Sequence, residues 1–320
     1  MERGPLSNTP GSNRPGGPRR STSGSGSRCS MRATRSAPVP ERRTARAHAK
    51  ANLVLEVLGL RPDGYHEIDT VLQELEMADV VTVAPAREWS IEVTGPRAVG
   101  TPGDDSNLAL RAARLLSLRC GAGAAAICLE KHIPAAGGLG GGASDAATTL
   151  KLLQTLWDAT DADVASVAAE VGSDEPFFLV GGTARARGRG ERVETLPALP
   201  PHEVVLFVPR DTIERKTARM FAALDGHPFD SGSVVGQFVA ERPQRVESVA
   251  VFNAFERVAF ELFPWLSALW ADLERRTGEA VRLAGAGPCL FWIGPSGGER
   301  VAAAATGAAC DVILTKTVTR

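Results

Sequence analysis

The sequence predicts an α+β fold, and this prediction rests on two observations. Segments with strand-like alternation and segments with helical periodicity follow one another along the chain, without one long series of parallel strands. The chain has 320 residues, which is long enough for two domains and a sizeable core. A proline-rich break from Pro197 to Pro201 marks the expected boundary, so we predict α+β domains over residues 45–199 and 200–320.

Composition and charge exclude several classes of function. The formal net charge is −1, and no apolar run approaches the length of a membrane span. We therefore expect neither nucleic acid nor a membrane as a partner. The sequence carries no signal for the oligomeric state, for which we expect a monomer or a weak homodimer. The five cysteines are scattered and form no Cys-x-x-Cys pair, which argues against zinc and disulfides and favours a reducing compartment.

Residues 1–44 differ in composition from the rest of the chain. They are rich in Arg, Ser, Gly and Pro and have almost no acidic residues, which predicts a disordered tail. The tail is consistent with a start site placed too early, with Met31 as the alternative initiator, or with a transit peptide. A cytoplasmic location is expected, with a plastid as the alternative.

The predicted fold begins at Ala45, and a characteristic turn follows its first strand. Alternating apolar residues predict a strand over Ala51–Leu58. The turn Pro62-Asp63-Gly64 then bends the chain and places Tyr65 and His66 directly after it. The next predicted elements are strand-like runs at Val80–Val83 and Ile91–Val93, a helix over Asn107–Leu118 and an apolar run at Ala124–Leu129.

A glycine-rich loop lies near the centre of the sequence. Five glycines occupy the six positions from Gly137 to Gly142, and apolar residues at helical spacing follow them. Ser144 and Asp145 are suitable N-cap residues for that helix, and a Ser144 hydroxyl could also reach a metal ion. Glycine N–H groups and the positive end of a helix dipole together favour an anion, so the loop predicts a polyphosphate site.

Two better-known glycine loops fit this stretch poorly. A P-loop requires Lys-Ser/Thr directly after its last glycine, where this chain has Ala143-Ser144. A dinucleotide-binding turn follows a buried strand at once, whereas Glu130-Lys131-His132 and Pro134 intervene here. A flexible linker, the remaining alternative, would carry Ser, Pro or charge on both sides and would not open an amphipathic helix.

An acidic residue, Asp174, follows the next predicted helix. Periodicity predicts that helix over Asp163–Val171, and Ser173-Asp174-Glu175-Pro176 leads from it into the apolar run Phe177–Val180. Asp174 therefore stands at a predicted helix-to-strand junction. Catalytic groups are often displayed at such junctions, and acidic residues are also common turn formers.

The remaining elements complete the second predicted domain. A connection from Gly226 to Arg245 lacks clear periodicity and is predicted to be mobile. The predicted elements are strands at Val204–Val208, Ala280–Leu283, Cys289–Ile293 and Val312–Thr315, helices at Thr217–Leu224, Asn253–Leu262, Leu266–Arg276 and Glu299–Ala309, and a glycine turn at Ala284–Pro288.

Three motifs stand in a fixed order along the chain. They are Lys50 in the first strand, the Pro-x-x-x-Gly-Leu-Gly-Gly-Gly-x-Ser loop at Pro134–Ser144, and the late turn Gly285-Ala286-Gly287. Through them the chain from residue 45 onward resembles the GHMP kinases, small-molecule kinases acting on galactose, homoserine, mevalonate and phosphomevalonate. The resemblance implies a two-domain fold, with an N-terminal domain like that of ribosomal protein S5 and a ferredoxin-like α/β C-terminal domain.

Two further motifs narrow the resemblance. Pro-Asp-Gly-Tyr-His within Arg61–Glu67 and Asp-x-Pro-Phe-Phe within Gly172–Phe178 are similar to the branch that phosphorylates a cytidine diphosphate derivative in the non-mevalonate isoprenoid route. This resemblance implies ATP and Mg²⁺ as cofactors. The ATP-binding residues that it implies are Pro134, Ala135, Ala136, Gly137, Gly138, Leu139, Gly140, Gly141, Gly142, Ala143 and Ser144.

The resemblance also implies roles outside the loop. Asp174 matches the family's catalytic aspartate, and Lys50 matches the lysine that pairs with it and stabilises developing charge. In the implied cytidine pocket, an aromatic ring stacks on the base and an imidazole hydrogen-bonds it. The implied substrate-binding residues are Tyr65 and His66 in that pocket, with Asn52 and Thr217 near the substrate.

The chain departs from the family pattern at four places, the first of which is Ala51 in place of a usual isoleucine. Ala143 and Ala286 lack a usual hydroxyl, and Glu175 adds a charge beside the implied base, where a like charge raises the pKa of a carboxyl. Two other functions remain open: a kinase for another alcohol such as homoserine, and a silent nucleotide-binding relative. Tyr65-His66 argues against an amino-acid acceptor, and the retained lysine and aspartate argue against a silent protein.

Overall fold

A computed structural model of the chain describes residues 41–211 and 216–320. Residues 1–40 of the predicted disordered tail lie outside the described residues, and the first strand already begins at Arg43. The strands are β1 (Arg43–Leu60), β2 (His66–Ala86), β3 (Ser90–Thr94), β4 (Ala124–Glu130), β5 (Thr183–Gly188), β6 (Arg192–Thr195), β7 (Glu203–Pro209), β8 (Phe252–Asn253), β9 (Arg282–Leu283), β10 (Leu290–Gly294) and β11 (Cys310–Lys316). The helices are α1 (Leu108–Cys120), α2 (Gly141–Trp157), α3 (Asp161–Val171), α4 (Glu175–Val180), α5 (Lys216–Leu224), α6 (Ser233–Glu241), α7 (Glu256–Leu262), α8 (Pro264–Thr277) and α9 (Gly298–Ala304).

The first sheet has seven strands and is organised around β2. Its order is β3-β4-β2-β1-β8, and β5 and β6 extend it from β2. With 21 residues, β2 is long enough to pair residues 80–86 with β4 and residues 68–73 with β5. Its antiparallel ladder with β1 is interrupted between His48 and Lys50 and between Asn52 and Val54. Such bulges re-aim side chains and are common beside active sites.

The second sheet has four antiparallel strands in the order β11-β7-β10-β9. It lies after the proline-rich break in the sequence, as predicted, but β8 also follows that break and pairs with β1 of the first sheet. Residues 40–320 cluster as one compact unit. A domain boundary between residues 199 and 200 therefore stays a prediction. No helix of the described ranges is both long and apolar enough to cross a bilayer.

The centre of β1 is buried on both faces. Alternation predicts one buried face over Ala51–Leu58, whereas all residues from 49 to 57 are buried. Leu53 packs in a core that includes Phe291 of β10. The polar side chains of Lys50 and Asn52 are also buried in this strand. Buried polar groups require partners, and the partners of these two define the site described below.

Helix α6 lies within Gly226–Arg245, so the prediction that this segment is a connection without a regular element is wrong. The Glu56 carboxylate, which is 1% exposed, accepts hydrogen bonds from the N–H groups of Gly232 (3.1 Å) and Val235 (2.8 Å) at the start of α6. The Asp230 carboxylate accepts another from the backbone of β1 at 2.9 Å. These anchors are distant in sequence, so local periodicity contained no trace of them.

Several other predicted elements need correction. Helix α7 begins at Glu256 rather than Asn253, because Phe252–Asn253 pairs with β1 as a strand. Strands β5 and β6 form where no element is predicted, since their alanines, glycines and charged residues have little strand propensity. The predicted helix Leu266–Arg276 is confirmed within α8.

We predict that Glu56→Ala destabilises the protein by about 1–3 kcal/mol, because it leaves buried N–H groups of α6 without an acceptor. The measurement is the free energy of unfolding in urea. The control is Glu241→Ala at the exposed end of the same helix, which is expected to change that free energy by less than about 0.5 kcal/mol. Equal effects of the two substitutions would show that Glu56 does not anchor the helix.

Candidate active site

A cavity of about 1120 Å³ lies between β1, the glycine loop and the starts of α4 and α5. Small-molecule pockets typically measure about 300–1,000 Å³, so this cavity is slightly larger than that range. Ser144 is 1% exposed and does not line it. The predicted site residues that do line it are Lys50, Asn52, Tyr65, His66, Pro134, Ala135, Ala136, Gly137, Gly138, Leu139, Gly140, Gly141, Gly142, Ala143, Asp174 and Thr217.

The glycine loop is held tightly against β1 and against the late turn. The Lys50 N–H donates to the Leu139 carbonyl at 2.9 Å. A Cβ on Gly138 would lie 1.9 Å from the Ala284 carbonyl oxygen, and a Cβ on Gly140 would lie 2.7 Å from the ring of Phe178. Both glycines have positive φ, at 85° and 75°. Only glycine combines this conformation with such close contacts.

Helix α2 begins at Gly141, with Gly140 as its N-cap. The prediction that Ser144 or Asp145 caps this helix is therefore wrong, and Ser144 instead donates its N–H to the Gly140 carbonyl at 2.9 Å. The first N–H groups of a helix have no intrahelical acceptor. Since residues 141–143 line the cavity, the positive end of the α2 dipole faces it.

Lys50 is fixed in the cavity wall by a chain of hydrogen bonds. Its ammonium donates to Asn52 Oδ1 at 2.7 Å, and Asn52 Nδ2 donates to Thr70 Oγ1 at 2.9 Å. The Thr70 hydroxyl in turn donates to the Val54 carbonyl at 2.6 Å. Burial lowers the pKa of Lys50, and the Asp174 carboxylate opposes this effect by favouring the charged ammonium. The substrate role predicted for Asn52 stays a prediction, and in the structure its side chain orients the lysine.

Asp174 meets Lys50 from a distant part of the chain. Lys50 Nζ and Asp174 Oδ2 are 3.9 Å apart, and the Asp174 side chain is 44% exposed. The predicted strand after Asp174 is wrong, because Glu175–Val180 forms helix α4. Pro176 is compatible with a first helical turn, where its missing N–H is not needed. Asp174 therefore occupies the N-cap position of a short helix, although its side chain does not cap it.

Glu175, beside Asp174, is 2% exposed and lines the same cavity. Burial raises the pKa of its carboxyl to about 7, and the Asp174 carboxylate acts in the same direction. A Cβ on Gly172 would lie 2.3 Å from a Glu175 carboxylate oxygen, so the glycine provides the space for this side chain. The sequence predicted that two neighbouring carboxylates would raise a carboxyl pKa here. In the structure the raised pKa is that of Glu175, and burial contributes more to it than the charge of Asp174.

Tyr65 and His66 lie in the same cavity as Asp174. Tyr65 is 51% exposed, and the Arg189 guanidinium lies 5.2 Å from the centroid of its ring. His66 already has partners of its own, since its ring stacks on Phe221 at 4.6 Å and its Nε2 lies 2.8 Å from Asp225 Oδ1. Tyr65 is therefore the more accessible of the two rings. Thr217, also predicted, is exposed in the first turn of α5.

The late glycine turn closes the cavity beside Lys50. A Cβ on Gly285 would lie 3.1 Å from Lys50 Nζ, so this turn and the lysine are in close contact. Asn253, which is 2% exposed, holds the turn by donating to the carbonyls of Leu283 (2.9 Å) and Gly285 (2.8 Å). The sequence placed Asn253 at a helix start and gave no sign of this supporting role.

Sequence reasoning also missed a buried ion cluster at the entry to the glycine loop. The Lys131 ammonium contacts the carboxylates of Asp79 and Asp145. Asp79 Oδ1 also accepts the N–H of Ile133 at 2.8 Å, which fixes the chain just before the loop. Burial is the largest cause that raises the pKa of Asp145 to about 7. The available signal was a lysine three residues before the loop proline.

Within residues 41–211 and 216–320, no three His, Cys, Asp or Glu side chains are grouped so as to hold a metal ion. Mg²⁺ in phosphoryl-transfer sites is usually held by one or two carboxylates together with substrate phosphates and water. The described residues thus contain no preformed group of three such ligands, and we assign no residue to a metal ion.

The comparisons with known proteins agree with this geometry. The family model for the GHMP kinases N terminal domain matches residues 107–182, which include the glycine loop and Asp174. A Dehalococcoides mccartyi protein named 4-diphosphocytidyl-2-C-methyl-D-erythritol kinase is 40% identical over 254 residues, 78% of this chain and 88% of that protein. The chain belongs to this kinase family. A Moorella thermoacetica protein of the same name is 34% identical over 293 residues, 86% of this chain and 99% of that protein.

Solved structures give the same result for the fold. A crystal structure of 4-(cytidine 5'-diphospho)-2C-methyl-D-erythritol kinase matches with a TM-score of 0.67 and 35% identity, covering 86% of this chain and 100% of that chain. A homoserine kinase from Cytophaga hutchinsonii matches with a TM-score of 0.57 at 15% identity, covering 85% and 95%. The second match concerns the fold alone. The predicted α+β GHMP kinase fold is confirmed.

We predict that Glu175 makes stability depend on pH. Its pKa in the folded protein, about 7, lies above the ordinary value of 4.5, so the folded state keeps a proton that the unfolded chain releases. This contribution is fully present below about pH 4.5 and is lost as the pH rises through about 7. Wild type should therefore lose up to about 3 kcal/mol relative to Glu175→Gln over this window.

The measurement is the free energy of unfolding in urea of both proteins, at a pH near 5 and a pH near 7.5. Other carboxyls with a raised pKa, such as that of Glu256, are present in both proteins. Their contributions cancel when the free energies of unfolding of the two proteins are subtracted. A difference that stays constant with pH would remove Glu175 as the titrating group.

Proposed function

We propose that this protein transfers the γ-phosphoryl group of ATP to the 2-hydroxyl of 4-diphosphocytidyl-2-C-methyl-D-erythritol, in the non-mevalonate route to isoprenoid precursors. The names of the matched relatives support this reaction. The observation that carries it is the pair of Lys50 and Asp174, which lie 3.9 Å apart in a cavity lined by the glycine loop. Phosphoryl transfer needs a base and a cation placed where the phosphoryl group meets its acceptor.

Asp174 is the group that we assign to the acceptor hydroxyl. Its carboxylate is partly exposed in the cavity and does not cap its own helix. It accepts a hydrogen bond from the hydroxyl, orients it and takes its proton as the new oxygen–phosphorus bond forms. The bond between the γ-phosphorus and its bridging oxygen breaks in the same transfer, and ADP leaves with that electron pair.

Lys50 supplies positive charge at the point of transfer. Asn52 holds its ammonium at 2.7 Å, so the charge is in position before a substrate enters. Preorganised charge stabilises a transition state without a cost of reorganisation. The ammonium also lies 3.9 Å from Asp174 Oδ2, so the cation and the proposed base meet at the same point of the cavity.

The glycine loop is the part that we assign to ATP. Gly141, Gly142 and Ala143 line the cavity at the start of α2, where the N–H groups of a helix lack intrahelical acceptors, and this suits a polyphosphate. Ala143 and Ala286 provide no hydroxyl, so backbone N–H groups supply most of the cradle. When bound with ATP, Mg²⁺ neutralises charge on the phosphate oxygens.

Tyr65 and His66 favour a cytidine-bearing acceptor. Both line the same cavity as Asp174, so an acceptor held there also reaches the base. The exposed Tyr65 ring offers a stacking surface, which an amino-acid acceptor such as homoserine does not need. We propose the cytoplasm as the location, because the matched relatives come from bacteria such as Moorella thermoacetica, which have no plastid.

A coupled ADP-release assay with ATP and Mg²⁺ tests the proposed reaction. We expect turnover with 4-diphosphocytidyl-2-C-methyl-D-erythritol and none with homoserine or without an acceptor. Turnover with homoserine instead would replace the proposed acceptor. ATP binding without turnover on any acceptor would favour the silent relative.

We predict that Asp174→Asn lowers kcat by about 10²- to 10⁴-fold, because the amide cannot take the hydroxyl proton. The dissociation constant for ATP should change by less than about threefold, since the proposed role belongs to the transition state. Steady-state kinetics and a nucleotide titration measure the two effects. Asp161→Asn, at an exposed helix start outside the cavity lining, is the matched control and should leave both unchanged. Equal loss of turnover and ATP binding would exclude Asp174 as the base.

A further inference from the structure

The chain has five lysines, and three of them line the cavity. Lys50 lies 3.9 Å from Asp174, and Lys131 contacts two buried carboxylates. Lys216, the first residue of α5, is different: among the carboxylates that the structure describes, none lies within 4.0 Å of its ammonium. The proposed mechanism assigns it no role.

Lys216 is buried in spite of its charge, with 8% of its surface exposed. Burial lowers its pKa to about 8. The nearby Lys50 acts in the same direction, and Cys289 and Asp174 oppose it. The side chain therefore remains mainly an ammonium at neutral pH. A buried cation without a bonded counter-charge is unfavourable, so an anion that enters the cavity beside it would be strongly stabilised.

Cys289, one of the groups that act on the pKa of Lys216, packs against the glycine loop. The Cys289 N–H donates to the Gly137 carbonyl at 3.2 Å, and a Cβ on Gly137 would lie 2.6 Å from the Cys289 sulfur. Lys216 thus lines the same cavity as the glycine loop and the Lys50–Asp174 pair. Under the proposed function, this cavity holds the junction between the two substrates.

We propose that Lys216 is a phosphate-binding residue whose ammonium contacts phosphoryl oxygens at this junction. The assignment of the junction rests on the proposed function, whereas the recognition of phosphate by Lys216 does not. Lysine binds phosphate as a compact point charge, which suits an ammonium that has no carboxylate within 4.0 Å among the described residues. The oxygens belong either to ATP or to the diphosphate of the acceptor, and both sources offer the same chemistry.

The first test compares binding of ATP–Mg²⁺ alone and of 4-diphosphocytidyl-2-C-methyl-D-erythritol alone to wild type and Lys216→Met. We expect the variant to bind one of the two ligands about 10- to 100-fold more weakly, since it loses a charged hydrogen bond. If the substitution weakens binding of ATP alone, the contact is with the nucleotide. If it weakens binding of the acceptor alone, the contact is with the acceptor diphosphate. Unchanged affinity for both ligands overturns the proposal.

Two variants control for the general effects of the substitution. Lys151→Met removes a partly buried lysine that donates to the Phe178 carbonyl at 2.9 Å and does not line the cavity, so it should leave both affinities unchanged. Lys216→Arg keeps the charge and should recover part of the affinity. If wild type binds ATP and not the acceptor, the proposed function fails, and the ATP titration still tests Lys216.

A second measurement uses wild type only and does not depend on the folding of a variant. Reductive methylation near pH 8, followed by peptide mass spectrometry, reports the reactivity of each lysine. Saturating ATP–Mg²⁺ or acceptor should slow methylation of Lys216 several-fold. A bound phosphate covers the amine and also favours its protonated form, which does not react. Exposed Lys316 is the internal reference and should be unaffected. Equal rates with and without each ligand contradict the proposal.

Discussion

The hydrogen bond from the Lys50 N–H to the Leu139 carbonyl joins the glycine loop to the central strand. The same residue carries the ammonium that faces Asp174, so the position of the loop and the position of the charge are set together. The close approach also explains the glycine at position 140, where a side chain would meet Phe178 and the aliphatic part of Lys50. Loss of this contact would separate the anion cradle from the charge that works beside it.

The interior of this protein contains many charged groups, and most serve as anchors. Glu56 holds α6, Lys131 sits between two carboxylates at the loop entry, and Asn52 fixes the Lys50 ammonium. Buried charge is tolerated where it is paired or hydrogen-bonded, and each of these groups meets that condition. Lys216 does not meet it among the described residues, which is why a missing anion is the simplest account of its position.

Much of the fold and the site was predictable, because their signals are local. The glycine loop, the turn before Tyr65 and the helical periodicity of α8 are each read from neighbouring residues. The errors have the opposite cause. Helix α6 is held by carboxylates of distant segments, and α4 is a helix because Phe177 and Phe178 pack against a remote cluster. The buried setting of Lys216 and Glu175 depends on three-dimensional enclosure, which no spacing in the sequence records.

The close packing of the late turn against Gly138 bears on when the glycine loop reaches its final structure during protein synthesis. The group packed there is the carbonyl of Ala284, and the turn that contains it follows the loop by almost half of the chain. During synthesis on the ribosome, the loop emerges long before the residues that shape it, and domains generally fold as their sequence becomes complete. A nascent chain that has finished the first sheet thus has the glycine sequence without the Ala284 carbonyl behind it, and the packing around Gly138 is complete only when the late turn has docked.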